Sequence, residues 1–156
     1  MKMSSRLDRA TDALKDARVV EQAQYREAMR RFMQELVAIA SASAGGAIWS
    51  QDDRAWARQH ASLALEARDA FVDWSAQTGD LFYFQGGEEA SERALERRSN
   101  LELARDLLMG TEAEELLNAC RSDDVDRDYR EQAEQCGLDP PDWVPRSHTW
   151  WRWRDK

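Results

Sequence analysis

All three prolines of this 156-residue chain stand at positions 140, 141 and 145, inside a C-terminal segment that also holds four of the seven tryptophans. A proline fixes φ, removes a backbone donor and pushes the residue before it out of the helical region, so regular helix is not expected up to Pro145. The 139 residues upstream carry no proline at all. Nothing there forbids long helices, and apolar side chains recur at the spacing of one helical face.

From Ser4 to Ile39 the apolar positions are 7, 10, 14, 17, 20, 25, 28, 29, 32, 36 and 39, with no glycine between them. This predicts one long helix capped by Ser4 or Ser5. A heptad pattern fails at Glu21 and Gln24, so a bundle helix fits better than a coiled coil. Ser41-Ala-Ser-Ala-Gly-Gly46 predicts a turn. Ser50-Gln-Asp-Asp53 predicts the start of a second helix, with acidic groups at the positive end of its dipole. Its stripe is Trp56, His60, Leu63, Ala67, Phe71 and Trp74. Leu65 and Val72 lie on another face, so burial on two sides is expected. Leu81-Phe-Tyr-Phe84 is bounded by Gly86-Gly87 and reads as a buried connector. Glu88 to Met109 is a third helix with Gly110 as its stop. Thr111-Glu-Ala-Glu114 has the form of a capping box for a short fourth helix through Cys120. Ser122-Asp-Asp124 opens a fifth, with Val125, Tyr129, Ala133 and Cys136 on one face and a Gly137-Leu138 ending. The expectation is an all-α, roughly five-helix bundle over residues 1–138. An extended Pro/Trp-rich C-terminal arm follows over 139–156.

Charge is distributed unevenly. Residues 59–145 carry 8 basic and 21 acidic side chains, net −13, whereas residues 1–58 carry +2 and residues 146–156 carry +3. Phosphate contacts need cationic side chains, so the middle of the chain disfavours direct nucleic-acid binding. Only three of the 22 basic residues are lysine, which points to a GC-rich bacterial or phage source. No apolar run reaches the ~18–20 residues that cross a bilayer. The first residues lack the apolar stretch of a signal peptide, so a cytoplasmic location without membrane contact is expected. Cys120 and Cys136 are too few for a disulfide scaffold and read as small core residues.

Motifs that carry chemistry are sparse. Gly-x-x-x-x-Gly-Lys-Ser/Thr, Gly-x-Gly-x-x-Gly and Gly-x-Ser-x-Gly are all missing. His60 has no Glu-x-x-His context and reads as a hydrogen-bonded core or boundary residue. Glu88-Glu89-Ala-Ser-Glu92 resembles the first half of the Glu-x-x-Glu signature of MazG-like nucleotide pyrophosphohydrolases. That resemblance spans about thirty residues and implies an all-α enzyme holding magnesium between helices. The second half would be Glu115-Leu-Leu-Asn118, with Asn118 where the family has Asp. The competing reading is a solvated helix start, rich in Glu because of the dipole.

The C-terminal segment admits three readings. Its indoles fold back as a cover, insert into a partner protein, or stack with Arg152 and Arg154 on nucleic acid or a membrane surface. The expectation taken is a cover role for Trp143 and a partner-binding role for Trp150, Trp151, Arg152, Trp153 and Arg154. Function then reads as a non-enzymatic interaction protein, a small subunit, adaptor or inhibitor, without cofactor or metal. The partner is another protein or a second copy of the chain. A mimic of nucleic-acid charge is a sharper variant, given the −13 segment. The alternatives are a magnesium-dependent hydrolase using Glu89, Glu92 and Glu115, and a small helical subunit of a nucleoprotein complex.

Overall fold

A computed structural model of the chain describes residues 6–19, 21–43 and 48–154. Ser4, Ser5, Val20 and residues 44–46 of the expected turn lie outside them. Among the described residues there is no strand, so the chain is all-α. The described residues form seven α-helices instead of five: α1 (Asp8–Asp16), α2 (Gln22–Ala42), α3 (Gln51–Glu66), α4 (Arg68–Asp80), α5 (Glu88–Leu107), α6 (Glu114–Ala119) and α7 (Asp123–Cys136). A π-helical turn, Leu81–Gln85, follows α4 directly.

Two of the expected long helices are each broken once. The first divides into α1 and α2, which pack on each other. A single helix over 4–39 would be about 54 Å long and could not cover its own stripe. Folding back buries Leu7, Ala10, Ala13, Leu14 and Ala17 against α2 and α3. Arg31 of α2 pairs with Asp16 at 2.7 Å, and Trp56 of α3 donates its indole N–H to Thr11 at 2.9 Å. The second break is at Ala67, whose φ −89° and ψ 19° leave the helical region for one residue. Its N–H is shared among the carbonyls of Leu63, Ala64 and Leu65, so no donor is stranded.

The stripe survives this kink. Trp56, Leu63, Ala67, Phe71 and Trp74 are all buried. His60 is half-buried, stacks on Trp56 and donates Nδ1–H to the Trp56 carbonyl at 2.8 Å. On the other face Leu65 is half-buried against the larger core, whereas Val72 remains half-exposed, so the second side is covered on α3 and open on α4.

Caps explain several helix ends. Ser50 and Asp53 form a full capping box: Asp53 N–H donates to the Ser50 hydroxyl and Ser50 N–H donates to the Asp53 carboxylate at 2.8 Å. Arg6 also donates to that buried carboxylate at 2.8 Å, tying the entry of α1 to α3. Thr111 is not the cap expected of it. Its hydroxyl donates to Leu108 O and accepts from Ala113 N–H, closing the turn after α5, and α6 begins only at Glu114. At the end of α7, Gly137 is left-handed with φ 67°, and Leu138 N–H reaches back to Ala133 O at 2.8 Å. That is the Schellman ending expected from Gly137-Leu138.

The core falls into two clusters. The larger joins α1 to α4 with the second half of α5 and with α6. The smaller joins Leu81, the first half of α5, α7 and the C-terminal segment. Trp143 packs against both.

Candidate functional site

Residues 139–154 contain no helix, as the prolines require, yet they lie on the bundle instead of extending from it. The expected partner anchors are divided. Trp150 and Trp151 are 4% and 2% exposed and sit in the smaller core with Leu95, Tyr129 and Ala133. Trp143, Arg152 and Trp153 are half-buried and Arg154 is exposed. Arg152 and Arg154 both close on Asp139, at 2.8 and 3.0 Å. Trp153 donates its indole N–H to His148 O at 2.8 Å. The segment thus loops back on itself, and a partner could reach Trp150 or Trp151 only by lifting it off.

Its seat is built by α5. Ser99 accepts the indole N–H of Trp151 at 2.8 Å and stands 3.0 Å from Nδ1 of His148. Ser99 Oγ thus bridges the Trp151 indole and the His148 ring. His148 is fully buried and stacks on Trp150 at 4.9 Å. Arg98, on the next residue of α5, lies over the opposite partner of that stack, with Cζ 4.1 Å from the Trp150 ring centre. It donates to both oxygens of Asp126 on α7, at 2.7 and 3.0 Å, and to Glu102 at 3.0 Å. One arginine therefore clamps α5, α7 and the C-terminal segment together.

Burial, with Arg98 adding to it, holds the His148 imidazole down to about 3. In the unfolded chain it titrates near 6.5. Between those values the unfolded state binds the extra proton, so this contribution is complete above about pH 6.5 and declines as pH falls toward 3. We expect wild type to lose on the order of 1 kcal/mol per pH unit more than His148→Gln between pH 6.5 and 5, measured by urea unfolding. Parallel slopes for the two proteins would contradict the neutral buried histidine.

The residues of the hydrolase alternative are not brought together. Glu89 and Glu92 are exposed at the start of α5. Glu115 is on α6, which meets the far part of α5 where Arg105 donates to Asn118 at 2.6 Å. From Glu92 to Arg105 the helix rises about 20 Å. Among the described residues, no three His, Cys, Asp or Glu side chains form a metal-holding group.

A cavity of about 230 Å³ lies between α4, α5 and α7, lined by Ser75, Thr78, Arg98, Cys120, Asp126 and Tyr129. Several of its polar groups are already engaged. Ser75 donates to Cys120 O at 2.5 Å and Thr78 to Trp74 O at 2.7 Å. Burial pushes the Cys120 thiol up to about 11 and raises Tyr129 further, so neither is ionised near neutral pH.

Among the described residues the most exposed large apolar side chain is Phe84, at 82%. It stands on the π-helical turn, beside the half-exposed Tyr83. The buried connector expected from Leu81-Phe-Tyr-Phe84 is therefore buried only at Leu81 and half-buried at Phe82. The turn is held from behind. Phe82 meets Tyr129 edge-on at 4.7 Å and Tyr83 edge-on at 4.9 Å. Tyr83 donates its hydroxyl to Asp128 of α7 at 2.5 Å, and burial together with that carboxylate pushes the phenol up to about 12. Gly86 and Gly87, with φ 69° and 91°, reverse the chain into α5 in a conformation that other residues rarely adopt. π-Helical turns often coincide with functional sites. Sequence reading missed this tip because four consecutive apolar residues signal burial, not exposure.

The chain matches no protein-family model, no curated protein and no solved structure. Among the described residues, no helix is long and apolar enough to cross a membrane.

Proposed function

We propose that the chain is a non-enzymatic interaction protein, a small subunit, adaptor or inhibitor, whose contact with its partner centres on Phe84. The observation that carries this reading is a large apolar ring held almost fully in water on a braced turn. Burying a phenylalanine stabilises by about 1.5–3 kcal/mol, and a rigid backing removes part of the ordering cost of doing so. Asp80, Glu88, Glu89, Asp124 and Asp128 flank the turn in sequence or in space. The fitting partner is a protein with an apolar pocket and a basic rim.

In this reading the C-terminal segment has a different part. Trp150 and Trp151 seal the smaller core, and Arg154 is exposed while Trp153 is half-buried. The test is copurification followed by titration of the isolated partner. Phe84→Ala is expected to weaken binding by about 2 kcal/mol, roughly 30-fold, with an unchanged melting temperature because nothing packs on that ring. Unchanged affinity would refute the assignment.

A further inference from the structure

A second feature is independent of Phe84. Arg26 of α2, Gln77 and Asp80 of α4, Gln85 of the π-helical turn, and Arg93 and Arg97 of α5 line an open cleft of about 330 Å³. Arg97 is half-buried and held rigidly. Its Nε donates to Thr78 at 2.9 Å, one Nη donates to Trp74 O at 3.1 Å, and its Cζ lies 3.7 Å from the Trp74 ring centre. All of these partners are neutral. Among the described residues, neither Arg97 nor Arg93 makes an ion pair, and Arg93 makes no side-chain hydrogen bond. Asp73 of α4, which acts on Arg97 electrostatically, is already engaged by both nitrogens of the Arg26 fork at 2.9 Å and by Gln77. In a stretch of net −13, two arginines one helical turn apart thus stand beside a cleft without a contact ion pair, Glu96 and Asp73 acting on them only at longer range. Burial and the neighbouring Arg93 push the Arg97 guanidinium down to about 10, outweighing the opposing pull of Asp73.

We propose that this cleft is a binding site for a small phosphate-bearing molecule, gripped by Arg93 and Arg97. A guanidinium has five N–H donors, and Arg97 spends two of them on the protein. One carboxylate is saturated by a single arginine fork, whereas a phosphate offers three terminal oxygens and up to two charges, enough for two forks. The Gln85 side chain supplies a further neutral donor at the rim. Asp80 opposes the anion from across the cleft. With that carboxylate present and a −13 surface around it, a long polyanion such as nucleic acid is disfavoured, and a compact ligand fits.

The probes are inorganic phosphate and glycerol 3-phosphate, titrated into the full chain at matched ionic strength, with acetate as the carboxylate control. The expected result is saturable binding of phosphate groups, with a rise in melting temperature that acetate does not reproduce. Tighter binding of glycerol 3-phosphate than of inorganic phosphate identifies an ester as the ligand, and the reverse order identifies the free ion. Arg97→Gln and Arg93→Ala are each expected to weaken binding about 10-fold or more, and Asp80→Asn to tighten it. Arg93 is exposed, so its variant keeps the test open should Arg97→Gln fold poorly. No saturable binding at about 20 mM phosphate, acetate binding as tight as phosphate, or full binding by Arg93→Ala would each overturn the proposal.

Discussion

Phe71→Ala is expected to lower the unfolding free energy by about 3–5 kcal/mol, the range for truncating a buried aromatic. Phe71 is fully buried on α4 and meets Phe32 of α2 edge-on, with ring centres 5.9 Å apart. Both rings lie in the larger core, where α2 and α4 face each other. Alanine would remove the transfer free energy of the ring and leave a cavity that rigid helices cannot close. Urea unfolding checks this through the midpoint, provided that the slope is unchanged. A loss below ~1 kcal/mol would mean that this face is not core.

Arg98→Met carries the other large effect, also about 3–5 kcal/mol, for a different reason. Methionine keeps much of the apolar stem, so lost packing is a small part. The cost comes chiefly from Asp126, whose side chain is 13% exposed and would keep its charge without a counter-ion, whereas Glu102 would retain Arg105 at 3.1 Å. It follows that removing an acid should restore stability. Arg98→Met with Asp126→Leu is expected to recover about 1 kcal/mol or more over the single variant, a coupling that non-interacting sites would not show. A double variant no more stable than the sum of two independent losses would contradict the clamp.

The helical class was legible because period and punctuation agreed. The Trp56–Trp74 stripe, the Ser50 cap and the Gly137 ending each rest on local chemistry that the neighbouring residues supply. The breaks were not legible, since neither Arg18-Val19 nor Ala67 carries the proline or glycine that usually announces one. They arise from tertiary packing: α1 must fold back to bury Leu7 and Leu14. For the same reason Thr111 looked like a helix cap but closes the preceding turn. The site was harder still. Trp150 and Trp151 signalled contact without saying with what, and the seat that receives them, Ser99 and His148, has no pattern of its own. Arg97 and Arg98 are adjacent in sequence yet serve different neighbours, one on Trp74 and one on Trp150. Only the three-dimensional arrangement separates a paired arginine from an unpaired one.

The Trp-rich segment is the lid of the smaller core, and under the proposed function this leaves Phe84 as the contact. Thermal unfolding of the chain truncated after Asp142, followed by near-ultraviolet circular dichroism, tests that claim most directly. Removing Val144, His148, Trp150 and Trp151 would bare Leu95, Tyr129 and Ala133 and leave Arg98 without its aromatic cover. The predicted result is a melting temperature lower by about 10 °C or more, or loss of the cooperative transition, with aggregation of the exposed patch. A truncated chain that melts cooperatively at the wild-type temperature would contradict it.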